Sequence, residues 1–290
     1  MKILLTGKNG QVGYELERSL QGLGEVIALD RKQMNLADLR QVREVIRSVQ
    51  PDLIVNPAAY TAVDKAESEI ELAMCINGDA PGVMAEEAKK LGAAMIHYST
   101  DYVFDGSKES AYTEDDAPNP VNAYGKTKLA GEEAIRAVGI PHLIFRTSWV
   151  YGLRGRNFLL TVLRLANERD ELRIVADQFG APTWSRTLAD TTAHIVSQAR
   201  AAQGKQDWWL QNTGLYHLTA QGKTSWHGFT EAILSHASVA KKPTVTPIRT
   251  EEYPLPARRP HNSVLNCDRL VQRFCELPRW ETGLALCQGA

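Results

Sequence analysis

Short apolar runs alternate with amphipathic stretches through the first half of the chain. The runs are bounded by polar residues or glycine, which is typical of buried strands, and they cover residues 2–6, 26–29, 53–56 and 93–99. Between them, apolar residues recur every three or four positions, which predicts helices at 14–20, 38–49, 68–75 and 79–91. Strands that alternate with helices in this way predict an α/β fold built on a doubly wound parallel sheet.

The alternation continues with a helix at 124–138 and a strand at 142–146, and then loosens beyond Trp149. The later pattern predicts helices at 158–166, 188–201 and 226–236, strands at 172–175 and 216–218, and short helices near Leu270 and Leu284. Residues 204–212 are mostly polar and predict a loop, while the five prolines of 243–260 predict extended chain. A large regular domain with a smaller mixed α/β unit is the expected organisation.

Composition narrows the classes of partner. The 290 residues are 43% hydrophobic with a net charge of −1, so no basic surface for nucleic acid or an anionic membrane is expected. The apolar runs fall short of the roughly 18 residues that a membrane helix needs. The four cysteines lack metal-ligand spacing, as in a protein with reduced thiols. We therefore expect a cytoplasmic protein that binds neither nucleic acid nor membrane.

A glycine-rich turn directly follows the first predicted strand. Gly7, Gly10 and Gly13 stand at its junction with a helix, where backbone N–H groups and the helix dipole favour a pyrophosphate. Asp30 ends the second strand, where a carboxylate can accept hydrogen bonds from an adenine ribose. Arg31 follows it and can pair with a 2′-phosphate. The turn predicts a dinucleotide site, and the two charges leave the choice open, so both NADH and NADPH are expected to bind.

Hydroxyl, phenol and ammonium groups follow the strand at 93–99. Thr100 comes at its carboxyl end, where open α/β sheets bind ligands, and its hydroxyl can donate to a substrate carbonyl. Tyr124 and Lys128 are four residues apart on one helical face, so they can converge on one bound molecule. The lysine charge is expected to lower the pKa of the tyrosine. Together the three groups predict acid catalysis of carbonyl reduction.

Longer motifs carry a resemblance to a known family. The glycine turn, YVFDG at 102–106 and the Tyr124/Lys128 pair resemble the extended short-chain dehydrogenase/reductases. Within that superfamily, five blocks are similar to the dTDP-4-dehydrorhamnose reductase family: VNPAAYTAVDKAE at 55–67, HYSTDYVFDG at 97–106, RTSWVYG at 146–152, DQFGAPT at 177–183 and RPHNS at 259–263. The resemblance runs essentially end to end. It implies a Rossmann-type parallel sheet of about seven strands that binds NADPH or NADH, a smaller domain that binds a dTDP-sugar, and reduction of the C4 ketone of dTDP-4-dehydro-L-rhamnose.

The resemblance also implies a division of the chain and a set of site residues. Residues 1–150 with 170–214 would form the NAD(P)-binding domain, and 151–169 with 215–290 the substrate domain. The implied cofactor-binding residues are Gly7, Gly10, Gln11, Val12, Gly13, Asp30, Arg31, Asn35, Leu36, Ala59, Tyr60, Thr61, Tyr98, Tyr124 and Lys128. The implied catalytic set is Thr100, Tyr124 and Lys128. The implied substrate-binding residues are Val63, Thr100, Asp101, Tyr102, Tyr124, Trp149 and Arg259. Asn35 and Leu36 stand where family members usually have an aspartate, so this chain departs from the family pattern at the adenine end.

A metal site is a separate implication of the resemblance. Some members of the family form homodimers around a divalent cation held by carboxylates. Glu15 in the first helix matches one contributor and Asp190 is the other candidate, which would place Mg²⁺ at a dimer interface. Arg186 stands near the second acid, and its charge opposes metal binding.

Two other functions fit parts of the pattern. A related sugar-nucleotide reductase, epimerase or dehydratase would share the frame, but epimerisation or dehydration needs acid/base groups beyond the three identified. A non-catalytic dinucleotide-binding regulatory subunit, like that of methionine adenosyltransferase, would not need Thr100, Tyr124 and Lys128 together. Cofactor oxidation with and without the ketosugar distinguishes these functions.

Overall fold

The computed structural model describes residues 1–237 and 242–289. Its strands are β1 (Lys2–Thr6), β2 (Glu25–Leu29), β3 (Leu53–Asn56), β4 (Ala94–Thr100), β5 (His142–Thr147), β6 (Val150–Tyr151), β7 (Glu171–Val175), β8 (Phe179–Gly180), β9 (Thr183–Trp184), β10 (Gly214–His217), β11 (Thr224–Ser225) and β12 (Thr244–Ile248). Its helices are α1 (Gln11–Ser19), α2 (Leu39–Val49), α3 (Val63–Ala66), α4 (Ile70–Met74), α5 (Ala80–Leu91), α6 (Ala123–Val138), α7 (Phe158–Glu168), α8 (Ser185–Ala201), α9 (Lys205–Asn212), α10 (Trp226–His236), α11 (Asp268–Arg273) and α12 (Trp280–Gln288).

A parallel sheet with the strand order β2-β1-β3-β4-β5-β10 is the centre of the fold. Successive side chains of a strand point to opposite faces, so β1 sends Ile3 and Leu5 into one core and Leu4 into the other. The first core includes Leu16 of α1 and residues of α8, and the second includes residues of α2 and α5. Because both faces are covered by helices, the predicted α/β fold with a doubly wound sheet is confirmed.

The main sheet has six strands in the described part of the chain, where the resemblance implied about seven. The predicted strand at 172–175 does form, but as β7 it pairs in parallel with β12 outside that sheet. Its side chains explain the difference. Glu171 and Arg173 are exposed while Leu172 between them is buried, so only one face of β7 can pack on a core.

A smaller unit collects around a third core. Phe229 of α10, Leu159 of α7 and Leu284 of α12 are fully buried in it, together with Leu172 of β7. Its strands form two-stranded pairs, β12 with β7, β11 with β8 and β6 with β9. The predicted mixed α/β character of the later chain is therefore present.

Residues 205–212 form the helix α9, and the prediction of a loop there was wrong. Polar composition and paired tryptophans concealed a helix whose stability comes from contacts with distant residues. Trp209 is buried in the first core, and Trp208 packs against Phe274, with ring centroids 6.0 Å apart. Tertiary packing of this kind routinely overrides local propensity.

The predicted division into two domains stays a prediction, and two strand pairings bear on it. β10 belongs to the main sheet through β5, although the implied boundary at 214/215 assigns most of that strand to the substrate domain. β7 pairs with β12, although the implied boundary at 169/170 assigns it to the NAD(P)-binding domain. In contrast, α8 packs against α1, as that division requires.

A buried ion pair ties α6 to the sheet. The Arg146 guanidinium of β5 donates to both carboxylate oxygens of Glu132, at 2.9 and 2.7 Å, and the Ser99 hydroxyl of β4 donates to the same carboxylate. All three residues are at most 4% exposed. Two strands and one helix are thus held together by groups that have little access to water.

We expect Glu132→Ala to lower the free energy of unfolding by about 3–5 kcal/mol, because it leaves the Arg146 charge buried and unpaired. Urea denaturation measures the change. Glu133→Ala, at the exposed next position of α6, is the matched control and should change stability by less than about 0.5 kcal/mol. Equal losses in the two variants would contradict the importance of the buried pair.

Candidate active site

A cavity of about 770 Å³ opens over the carboxyl ends of β1, β3 and β4. In parallel α/β sheets this edge is the usual ligand site. All the residues that the sequence analysis assigned to the cofactor line the cavity: Gly7, Gly10, Gln11, Val12, Gly13, Asp30, Arg31, Asn35, Leu36, Ala59, Tyr60, Thr61, Tyr98, Tyr124 and Lys128. The structure therefore brings this set together around one space.

The glycine turn forms the floor of one end of the cavity. Gly7 has a φ of +62°, and a Cβ there would lie 2.9 Å from the Cβ of Ala58, so only glycine fits without strain. The turn leads into α1, whose first residue is Gln11. Helix N-terminal N–H groups at a glycine turn can form an anion site, and this turn lines the cavity.

Two opposite charges stand further along the cavity, after β2. Asp30 accepts hydrogen bonds from the backbone N–H groups of Gln33 and Lys32, which lower the pKa of its carboxyl, so it stays ionised at neutral pH. Arg31 beside it is exposed. The cavity thus carries both the acceptor that suits ribose hydroxyls and the cation that suits a phosphate.

The start of α6 positions the predicted catalytic tyrosine. Asn122 caps the helix by accepting from the Gly125 N–H at 2.8 Å, and Glu67 accepts from the Ala123 N–H at 2.8 Å. Gly125 lies so close to the turn after β4 that a Cβ would sit 2.1 Å from the Tyr102 carbonyl oxygen. This close approach holds Tyr124 beside the end of β4, where Thr100 is located.

The pKa of Tyr124 is raised to about 12, and the expectation that Lys128 lowers it was wrong. Burial of the phenol is the main cause, and a hydrogen bond with Thr100 offsets it only in part. The Lys128 side chain turns toward the sheet instead, where Nζ donates to the Tyr98 carbonyl oxygen at 2.5 Å. Tyr124 is consequently a protonated phenol across the neutral range, as an acid catalyst has to be.

Lys128 is 1% exposed, and burial lowers its pKa to about 8. Its Nζ also lies 3.2 Å from Nε2 of His97, a residue that the sequence analysis did not assign to the site. The only signal for His97 was its place in the HYSTDYVFDG block. Its pKa is well below the ordinary value because the imidazole is fully buried.

Of the seven predicted substrate-binding residues, Tyr124 lines the cavity and the other six do not. Those six are Val63, Thr100, Asp101, Tyr102, Trp149 and Arg259. The Tyr102 ring meets the Tyr124 ring edge to face, with centroids 5.8 Å apart. The Thr100 hydroxyl donates to Asp101 at 3.0 Å, and burial raises the pKa of the Asp101 carboxyl to about 7. These four side chains form one polar cluster at the end of β4.

Arg259 forms an ion pair rather than projecting freely. Its guanidinium donates to both oxygens of Asp64, at 2.8 and 2.9 Å, and Asp64 follows Val63 in α3. The C-terminal segment is thereby fixed beside α3. Arg259 is therefore held near the helix that contains Val63, although the two residues are far apart in sequence.

Trp149 stacks on Trp226 of α10, with ring centroids 3.5 Å apart and planes at 5°. Its φ of +48° is unusual for a residue with a side chain, and its indole packs over Gly180. Trp226 in turn donates from Nε1 to Gln178 at 3.2 Å. Sequence reasoning missed Trp226, because it belongs to no recognised block, while Gln178 and Gly180 stand in the DQFGAPT block.

The two candidate metal ligands gain no support. Asp190 accepts from the Ser19 hydroxyl at 2.6 Å and lies 3.4 Å from the Arg186 guanidinium, so its oxygens are already engaged. Across residues 1–237 and 242–289, no group of three or more His, Cys, Asp or Glu side chains could hold a metal ion.

Within the same ranges, no helix has both the length and the apolar character to cross a bilayer.

The chain is similar to known proteins along nearly its whole length. The family model described as RmlD substrate binding domain matches residues 1–289. A dTDP-4-dehydrorhamnose reductase of Burkholderia thailandensis is 50% identical, over 99% of this chain and 98% of its own length. One of Escherichia coli K12 is 48% identical, over 98% of this chain and 96% of its own.

Solved structures show the same relationship. The dTDP-4-dehydrorhamnose reductase of Bacillus anthracis, solved in complex with NADP, is similar with a TM-score of 0.90 at 35% identity, covering 99% of this chain and 98% of that one. A UDP-glucose 4-epimerase of Thermus thermophilus is similar with a TM-score of 0.80 at 18% identity, which shows a shared fold alone. Because the family model spans nearly the whole chain and its relatives are about half identical, the protein belongs to the RmlD family of dTDP-4-dehydrorhamnose reductases.

Proposed function

We propose that the protein reduces the C4 ketone of dTDP-4-dehydro-β-L-rhamnose to the alcohol, which gives dTDP-β-L-rhamnose and completes the synthesis of that sugar nucleotide. The observation that carries this proposal is that Tyr124 and buried Lys128 line the same cavity as the glycine turn. The names of the close relatives supply the substrate.

The cavity suits a nicotinamide dinucleotide, whose reduced ring supplies the hydride. The glycine turn and the first turn of α1, which line the cavity, suit the pyrophosphate. Asp30 suits the adenine ribose, and Lys128 suits the hydroxyls of the nicotinamide ribose. Ala59, Tyr60 and Thr61 would line the nicotinamide end.

The chain's own residues then manage the proton and the developing charge. The Thr100 hydroxyl donates to the ketone oxygen and stabilises its negative charge as the carbonyl is reduced. Tyr124 gives its phenolic proton to the same oxygen. Its raised pKa keeps the phenol protonated before transfer.

We expect Tyr124→Phe to lower kcat by roughly 10²-fold or more, because the ring stays in place but the proton is gone. The dissociation constant of the cofactor should hardly change. Cofactor oxidation is followed with and without the ketosugar, and near-normal turnover in the variant would exclude Tyr124 as the acid.

The same cavity is proposed to accept NADPH and NADH. The relative from Bacillus anthracis was solved with NADP, and here Arg31 offers a cation for the 2′-phosphate next to the Asp30 carboxylate. A carboxylate favours the free ribose hydroxyls of NADH, whereas a guanidinium favours the phosphate of NADPH. The balance between the two side chains sets the preference.

We expect Arg31→Ala to weaken NADPH binding by roughly tenfold, about 1.4 kcal/mol, with little effect on NADH. Fluorescence titration with each cofactor measures the two affinities. Arg40→Ala removes a charge from the exposed side of α2 and is the control. Equal losses for both cofactors in the Arg31 variant would show that Arg31 does not reach the 2′-phosphate.

The dTDP-sugar is proposed to bind between the end of β4 and the smaller unit. Tyr102, Asp101, Val63 and Arg259 would form its polar and apolar walls around Tyr124. Trp149 is partly exposed and would contribute the free edge of its indole, which can pack on the apolar side of a 6-deoxyhexose. The stack on Trp226 and the contact with Gly180 fix the indole in place. Whether the protein is a homodimer stays a prediction, and Glu15 and Asp190 are not proposed as metal ligands.

We expect Trp149→Ala to raise KM for the dTDP-sugar more than KM for the nicotinamide, with the melting temperature lowered by only a few degrees. Trp208→Ala, which removes a partly buried indole that packs against the first core and does not line the cavity, should reduce stability without changing either KM. A collapse in stability with a normal sugar KM would show that Trp149 is a core residue.

A further inference from the structure

Four buried polar side chains form a hydrogen-bonded row under the cavity. The Thr6 hydroxyl donates to Oδ1 of Asn56 at 2.6 Å, Nδ2 of Asn56 lies 3.0 Å from Nδ1 of His97, and Nε2 of His97 lies 3.2 Å from Nζ of Lys128. Each residue is at most 1% exposed. The row follows the sheet order, since β1, β3 and β4 are neighbours and contribute the first three residues. We call these four residues the polar row.

Donor counting restricts the states of the polar row. A neutral imidazole has one N–H donor and one bare acceptor nitrogen. The amide NH₂ of Asn56 faces Nδ1, so Nδ1 is the acceptor and the ring proton lies on Nε2, directed at Lys128. An ammonium has no lone pair to receive that proton. This arrangement therefore suits the neutral amine of Lys128.

A second arrangement suits the ammonium. Nζ then donates to Nε2, the ring proton moves to Nδ1, and the Asn56 amide turns over to accept it with Oδ1. The Asn56 NH₂ now donates to the Thr6 hydroxyl oxygen. The Asn56 amide, both ring nitrogens of His97 and Nζ of Lys128 each keep a partner in both arrangements, and only Lys128 differs in charge. Mixed arrangements leave two donors or two acceptors facing each other, which is unfavourable in a buried site.

We propose that His97 is a positioning residue that changes tautomer in step with Lys128, so that the polar row accommodates both protonation states of a buried lysine. The inference rests on the role proposed above for Lys128. It deepens that role, because a buried lysine that holds a ribose and has a pKa of about 8 needs a neighbour that satisfies it in either form.

The electrostatic surroundings allow both forms near neutral pH. Burial lowers the pKa of Lys128 to about 8, and Glu132 on the same helix opposes that shift. Glu132 is itself paired with Arg146 from β5, which limits its influence. From the end of β4, Asp101 is coupled to Tyr124, the titratable group one turn before Lys128. Burial and the Lys128 charge together keep His97 neutral.

Nitrogen NMR of the full-length protein, with ¹⁵N in its histidine rings, tests the inference without turnover. His97 is assigned by its loss in His97→Gln, and its two ring shifts are followed between about pH 6 and pH 10. We expect the Nδ1–H tautomer at the acidic end and the Nε2–H tautomer at the alkaline end, with the crossover near the pKa of Lys128. In Lys128→Met the tautomer should not change with pH. A single tautomer throughout, or an imidazolium, overturns the proposal.

Kinetics supply the second readout. Glutamine can donate or accept, so His97→Gln should keep kcat within a few-fold, whereas apolar His97→Leu should lower it by roughly tenfold or more. Leucine offers no acceptor to Nζ, so the pKa of Lys128 should fall. The alkaline limb of the kcat profile should therefore move to lower pH in His97→Leu. An unchanged kcat and pH profile in His97→Leu contradicts the proposal.

The two proposals fail separately. Full turnover by Lys128→Met would remove the catalytic role of Lys128 and leave the tautomer result intact. Should His97→Leu not fold, the NMR experiment on the unaltered protein still decides the question.

Discussion

The site depends on the burial of polar side chains of α6 against the sheet, on a helix face that is normally apolar. Tyr124, Lys128 and Glu132 follow one another at intervals of four on α6, so they share the face that packs against the sheet. Lys128 and Glu132 are each 1% exposed. A buried charge is costly unless it has partners, so the sheet has to provide them at matching positions.

The register of β4 and β5 supplies those partners. Ser99 of β4 lies opposite Arg146 of β5, so the Ser99 hydroxyl and the Arg146 guanidinium can both donate to Glu132. One residue before Ser99, the Tyr98 carbonyl oxygen accepts a hydrogen bond from Nζ of Lys128. A shift of one residue in either strand would turn these side chains to the opposite face. Fold stability and the placement of Tyr124, the proposed acid, therefore depend on the same contacts.

The substrate side is built differently, from pairs that join distant segments. Asp64 with Arg259 fixes the C-terminal segment against α3, and Trp149 on Trp226 fixes the turn after β5 against α10. Both pairs connect the main sheet to the later part of the chain. The walls proposed for the sugar are thus made by contacts between the two parts, while the cofactor cavity is lined by residues of the first 160 or so.

Local patterns determined most of the helices and strands and the residues proposed to bind the cofactor. The alternation of strands and helices, the glycine turn after β1 and the spacing of Tyr124 and Lys128 are properties of neighbouring residues, so the sequence alone predicted them. Tertiary structure decided what depends on distant partners. α9 is a helix because Trp209 is buried in the first core. β7 pairs with β12 outside the main sheet because only one of its faces is apolar. The direction of Lys128, the raised pKa of Tyr124 and the place of His97 were equally hidden, since each is set by burial and by contacts between strands that no local pattern records.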